Sequence, residues 1–327
     1  MKKVVSIANP VVNYLTYIQA YCGINWEIED KELMHGFLSD ADRSYIQACS
    51  DDLSFGDGSG GSLVGLFYFL PAYVFSENSE GLTEYFSCLE HCHEVMDTSL
   101  LFERYGDHIS RLREFNPYFL SNINSLDQEE KLIRIKHLST IYKANYRRYL
   151  QLNWDKDKAI IERTRDYINE IFAENDIIGK WEFATGFELL SEQYQLLIVP
   201  SLQFGPRANS LHYGVNIFPA ITEHCPKYFF DHFISHEIGT HILKPHTIDK
   251  VQISEENLRI PYIAFENLAK HINIKILSNK YQYELGEDYY EDSVFDNIYN
   301  GLDGAYAEDI GRMYSVAIDF YNGVNVN

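Results

Sequence analysis

The 327 residues carry 27 Lys and Arg against 48 Asp and Glu, a formal net charge of −21 that repels nucleic acid and anionic membrane surfaces. Hydrophobic residues make up 46% and aromatic residues 15% of the chain, which excludes a disordered protein and predicts one large domain or two that share a core. Five cysteines (Cys22, Cys49, Cys88, Cys92 and Cys225) are odd in number and scattered, so reduced thiols are expected rather than a disulfide scaffold.

At the N-terminus, Asn9 and Pro10 interrupt the apolar stretch that a signal peptide would need, and a cytoplasmic protein is expected. The longest apolar run, Leu63 to Phe75, is shorter than the ~20 residues of a membrane helix and contains Pro71, so no span is predicted. The preceding stretch, Asp51 to Ser62, contains Gly-Asp-Gly-Ser-Gly-Gly. It follows no clear strand and lacks a Lys-Ser/Thr, so it reads as a turn rather than a phosphate loop.

Helical periodicity covers Glu80–Arg113 and Gln128–Leu152, with a charged helix over Lys156–Glu174. In the first of these, Cys88, His91, Cys92 and His93 are compatible with a soft-metal site. No paired ligands follow at metal spacing, so the cluster reads as core cysteines. Residues 1–175 are thus a mainly helical part expected to help form a cleft, and 176–327 the part that carries the chemistry.

Between Lys180 and Pro219 the pattern changes. Tyr194–Val199 and Leu211–Phe218 are β-branched and aromatic runs separated by Pro, Gly and Asn, which predicts two strands that could pair as a hairpin. Pro226 opens a helix expected to run to about Leu243, Pro245 closes it, and a further helix after Pro261 carries Tyr262–Leu277. The expected fold class is α+β, mostly helical, with a small sheet.

The helix opened by Pro226 contains Ser-His-Glu-Ile-Gly-Thr-His, Ser235 to His241. Two histidines four apart on a helix share one face, but His236 and His241 are five apart and offset by about 140°. A single π-type turn would absorb the extra residue, and Gly239 lies where the backbone would deviate. A catalytic zinc ion takes three protein ligands and leaves one position open for water. Glu266, on the next predicted helix, is the favoured third ligand beside His236 and His241. Glu255 and Glu256 are rivals in the intervening loop, where a rigid ligand is harder to hold. His232, four residues before His236, reads as an exposed helix residue. Glu237, next to a ligand histidine, is placed to be the general base. The expectation is a peptidase holding one Zn2+ per chain.

The sequence His-Glu-Ile-Gly-Thr-His followed downstream by Glu266-Asn267-Leu268-Ala269 resembles the tyrosine carboxypeptidases that act on tubulin and their bacterial relatives. Phe115-Asn116-Pro117-Tyr118-Phe119 is similar to an Asn-Pro-x-Phe element of that family. Asn267 stands where the family has glycine, and the family's Asn-Gly and Gln-Pro elements between the ligands are absent. The resemblance implies a glutamate-zincin fold, with a strand beside the active-site helix that pairs with extended substrate, the role expected of Leu211–Phe218. It also implies removal of a C-terminal residue, with an aromatic one suited to a Tyr- and Phe-rich pocket.

Lys244 and Arg207 flank the motif and could bind a substrate carboxylate. His212, Tyr213 and Tyr262 are candidates for stabilising the oxyanion. An endopeptidase or an aminopeptidase with the same ligands remains an alternative, as does a non-catalytic, zinc-stapled binding module. The expected partner is a peptide or protein, neutral or basic rather than an acidic tubulin tail, with no nucleic acid and no membrane.

Overall fold

The structure is a computed structural model and describes residues 2–26, 36–55, 61, 63–116, 129–202, 208–222, 225–250, 258–277 and 307–324. It is α+β and mostly helical. Four strands, β1 (Lys3–Ile7), β2 (Gln193–Val199), β3 (Asn209–His212) and β4 (Val215–Pro219), form a mixed sheet in the order β1-β2-β4-β3. The helices that precede β2 are α1 (Pro10–Tyr21), α2 (Asp40–Ala48), α3 (Ser50–Leu53), α4 (Leu70–Val74), α5 (Leu82–Val95), α6 (Ser99–Phe115), α7 (Glu129–Leu152), α8 (Trp154–Phe172) and α9 (Ile177–Thr185). Following β4 are α10 (Lys227–Leu243), α11 (Arg259–Ile276) and α12 (Ala307–Val324).

The chain divides into two compact units, one of residues 6–167 with 195–226, the other of residues 1–5, 168–194 and 227–327. Residues 195–226, grouped with the C-terminal part by sequence, belong to the first unit.

The first unit begins where Asn9 caps α1. Its Oδ1 accepts hydrogen bonds from the amides of Val11 and Val12, its Nδ2 donates to the carbonyls of Phe75 and Ser76, and Pro10 opens the helix. The core of this unit is aromatic. Tyr14 packs against Phe37, Tyr142, Tyr146 and Tyr149, with ring centroids between 5.1 and 6.2 Å apart. Three buried phenols there find partners: Tyr14 donates to the Tyr142 carbonyl, Tyr85 to the Leu66 carbonyl and Tyr149 to Asp157. A π-helical turn, Gly65–Phe69, runs into α4, whose second residue is Pro71. Proline cannot donate to the carbonyl four residues back and crowds it, so the turn before it widens.

In the sheet, β2 pairs in parallel with β4, Leu197 opposite Ile217, and β3 runs antiparallel to β4. The run Leu211–Phe218, expected as one strand that could form a hairpin with Tyr194–Val199, is itself the heart of a hairpin, and its second half pairs with β2 in parallel instead. Gly214, at φ 73°, takes the left-handed conformation that lets the chain reverse between β3 and β4. The short strand β1 had no counterpart in the sequence reading.

In the second unit, α10 is buried on nearly every side. Phe230, Ile234, Ser235, Ile238, His241, Ile242 and Leu243 are all closed to solvent, as expected of a helix that is apolar all round. Helices α9 and α11 pack on α10, and α12 packs on α11. The N-terminal segment is tied to the same unit by Lys2, whose Nζ donates to Glu182 at 2.7 Å and to the Leu189 carbonyl at 2.6 Å.

Candidate active site

The helix limits place the motif as expected: α10 ends at Leu243, just before Pro245, and α11 carries Glu266 in its middle. Across these two packed helices, His236 Nε2 lies 3.0 Å from Glu266 Oε2. Burial works against a charged imidazole. The hydrogen bond and the charge of Glu266, with Glu237 adding to them, outweigh it and raise the His236 pKa above its ordinary value. Burial likewise opposes the Glu266 carboxylate. His236, the Tyr262 hydroxyl and Lys270 together overcome that and hold its pKa below the ordinary range.

Tyr262 sits one helical turn before Glu266 and hydrogen-bonds to it. The residue is 51% exposed, while its hydroxyl is turned to Glu266. The negative charges of Glu266 and Glu237, together with burial, push the Tyr262 phenol well above its ordinary value, and it stays a neutral donor. Of the sequence-derived site residues, His236, Glu237, Glu266 and Tyr262 therefore share one neighbourhood.

His241 does not join them in this structure. Helix α10 is α-helical throughout, without the π turn expected between the histidines, and on such a helix His241 points about 140° away from His236. It is buried and meets the ring of Tyr194, on β2, edge-on at 5.1 Å. Leu211–Phe218, expected beside this helix, belongs to the other unit. Among the described residues no group of three His, Cys, Asp or Glu side chains is arranged to hold a metal ion.

Gly239 has a different reason to be glycine. A Cβ there would lie 2.2 Å from Cζ2 of Trp181, so the missing side chain lets α9 press its indole onto the backbone of α10. The same indole donates through Nε1 to Ser235 at 3.0 Å. Ser235 donates to Asn273 Oδ1, and Asn273 Nδ2 donates to the His232 carbonyl at 3.1 Å. This chain links α9, α10 and α11 through Ser235, the residue next to His236. His232, read as exposed, is partly buried in this network. Burial, and then the charge of His236, bring its pKa down to about 4, so it is neutral near pH 7.

The remaining candidates lie elsewhere. Lys244 is paired with Asp249 in the short helical turns after α10. His212 and Tyr213 belong to the other unit, where His212 stacks on Tyr73 at 5.4 Å. Arg207, Glu255, Glu256 and the Pro117–Phe119 part of the Asn-Pro element lie outside the described residues. Cys88 and Cys92 are buried on α5, as core cysteines should be, while His91 pairs with Glu94.

Sequence reasoning did not find Trp181, Ser235, Asn273 or Lys270. The one available signal was periodicity: Tyr262, Glu266 and Lys270 recur every four residues along one helix. No family model, curated protein or solved structure matches the chain.

Proposed function

We propose that the protein is a zinc-dependent peptidase, of the carboxypeptidase type and acting in the cytoplasm, with His236, His241 and Glu266 as the metal ligands and Glu237 as the general base. The observation that carries this reading is the 3.0 Å approach of His236 Nε2 to Glu266 Oε2, from facing helices, with Glu237 next to that histidine. Zinc ligands in a tetrahedral site stand about 3.3 Å from one another, given bonds of roughly 2.0–2.1 Å, so the pair suits the ion in donor type and spacing. His241 completes the set only if α10 winds more widely between 236 and 241 than it does in this structure. The resemblance to the tubulin tyrosine carboxypeptidases supports the same ligand set and a glutamate-zincin-like fold.

When bound, zinc would polarise the scissile carbonyl and bring the pKa of water toward ~7. Glu237 then accepts the proton of the attacking water and returns it to the leaving amine. The Tyr262 hydroxyl, held neutral, is a hydrogen-bond donor suited to the oxygen on which negative charge develops. The net charge of −21 favours a neutral or basic peptide over an acidic one.

The test is mass spectrometry of a mixed peptide library incubated with the zinc-loaded protein. Loss of single C-terminal residues supports the reading. Loss from the amino end or internal cuts would reassign it to an aminopeptidase or an endopeptidase, and no cleavage would contradict it.

A second reading is favoured by one observation, that no group of three ligands is assembled among the described residues. In that reading His236 and Glu266 form an ion pair that staples α10 to α11 in a non-catalytic binding module. It predicts that removing metal leaves stability and binding unchanged.

A further inference from the structure

Helix α9 has two unlike faces. Trp181 is closed to solvent against α10, whereas Phe183, about 200° around the helix from it, is 71% exposed. Past the end of α9, Gly186 takes the left-handed conformation at φ 72° and the chain turns back. A polar clasp holds the return. Glu182 Oε1 accepts from the Leu189 amide at 3.0 Å and from Lys2 Nζ at 2.7 Å, and Lys2 also donates to the Leu189 carbonyl at 2.6 Å. Because Glu182 and Leu189 are bonded to each other, their chain neighbours Phe183 and Leu190 come to one region of the surface, and Leu190 is 58% exposed. Between them Phe187 is partly exposed, with the imidazole of His246 stacked on its ring at 3.8 Å between centroids. Single exposed apolar side chains are ordinary, but three held in one short turn by a clasp form a preorganised contact.

The charges along this ridge have one sign. Residues 182–192 contain Glu182, Glu188 and Glu192 and no lysine or arginine. Lys2 neutralises Glu182, while Glu188 and Glu192 form no ion pair with a described residue. We infer that this turn is a docking surface for a partner protein, which presents a cationic segment where lysine or arginine flanks aromatic or large aliphatic side chains. Phe183, Phe187 and Leu190 take up the apolar side chains, and Glu188 and Glu192 meet the flanking cations. An acidic segment, a second copy of this acidic chain and an anionic membrane all bring charge of the same sign as the rim. Since Phe183 lies on the side of α9 turned away from α10, the surface is separate from the His236 cluster, and the inference does not depend on the peptidase reading.

The probe is a fluorescein-labelled peptide of alternating lysine pairs, phenylalanine and leucine, acetylated at one end and amidated at the other. Binding to the metal-depleted full chain is read by fluorescence anisotropy, so neither zinc nor a free peptide terminus contributes. Two control peptides carry serine in place of phenylalanine and leucine, or glutamate in place of lysine. Wild type should bind the probe about tenfold or more tightly than either control, and the double variant Phe183→Ser, Leu190→Ser should lose about tenfold, since one buried apolar side chain is worth about that much. Both positions are exposed, and an unchanged urea midpoint shows that the variant keeps its fold. Glu188→Gln with Glu192→Gln should lose about threefold and flatten the dependence on salt. Equal binding by wild type and the Phe183→Ser, Leu190→Ser variant would overturn the inference, leaving only the attraction of a cationic peptide to a chain of net −21. Tighter binding of the glutamate control would also overturn it, as would self-association of wild type that this variant abolishes, which would make the turn an interface between copies.

Discussion

The two units bury polar groups in different ways. In the aromatic unit they are handled singly: Tyr14 is satisfied by the Tyr142 carbonyl and Tyr149 by Asp157, while the Tyr142 hydroxyl finds no hydrogen-bond partner among the described residues. In the unit around α10 they are joined. Trp181, Ser235, Asn273 and His232 form one chain, and Glu237, His236, Glu266, Tyr262 and Lys270 form a charged cluster on the same helices α10 and α11. Packing alone requires only the first pattern. Charged groups brought together in a low-dielectric setting destabilise a fold unless they are matched, and such clusters concentrate where chemistry is done.

The largest effect is expected when one function is removed from the cluster while its shape is kept. Glu237→Gln should retain zinc and lose turnover by about 100-fold or more, because the amide cannot accept the proton. Steady-state cleavage of a peptide identified from the library, with zinc content measured on the same sample, checks it. Near-normal turnover would remove Glu237 from the mechanism. The matching change in the aromatic unit, Tyr149→Phe, should lower stability and leave turnover per folded molecule unchanged.

Smaller effects are expected on stability. Gly239→Ala places a methyl group against the Trp181 ring and should destabilise by about 2–3 kcal/mol in urea unfolding, despite the ~1 kcal/mol that alanine gains in helix propensity. A stabilised variant would show that the indole does not rest on that backbone.

Asp157 offers a pH test in the aromatic unit. Burial raises its pKa to about 6 from 3.8, against the opposing hydrogen bond of Tyr149. An acid raised on folding contributes stability that is complete below its unfolded value and is lost as pH rises through about 6, here about 3 kcal/mol. Asp157→Asn should flatten that dependence, seen by comparing urea midpoints at about pH 4 and about pH 7.5. A slope equal to that of wild type would contradict it. Least of all, Ser235→Ala should cost about 1–2 kcal/mol by leaving Trp181 Nε1 and Asn273 without their shared partner.

Much of the architecture was legible because prolines mark it. Pro226 and Pro245 bound α10, and the helix periods of α7 and α8 fall within a few residues of their observed limits. The hairpin was missed because Leu211–Phe218 keeps its apolar character straight through the turn, and only the positive φ of Gly214 divides it. At the site, adjacency along the chain picked out His236 and Glu237, and helix order picked out Glu266. Gly239 was misread because glycine in a helix has two uses, backbone distortion and close packing, and the neighbour that decides between them, Trp181, lies 58 residues away in sequence. Lys270 was overlooked for a related reason: a lysine four residues after a glutamate looks like a surface ion pair until the glutamate is seen to belong to a histidine.

His241 is where the account is most exposed, since it belongs to the proposed ligand set yet lies about 140° around α10 from His236. The direct measurement is zinc titration of the metal-depleted protein, wild type beside His241→Ala, His236→Ala and Glu266→Ala, with bound metal quantified at each step. A three-ligand site should bind about one zinc tightly per wild-type chain and lose at least roughly tenfold in affinity in each variant, His241→Ala included. Full-affinity zinc binding by His241→Ala, or no tight zinc binding by wild type, would contradict it.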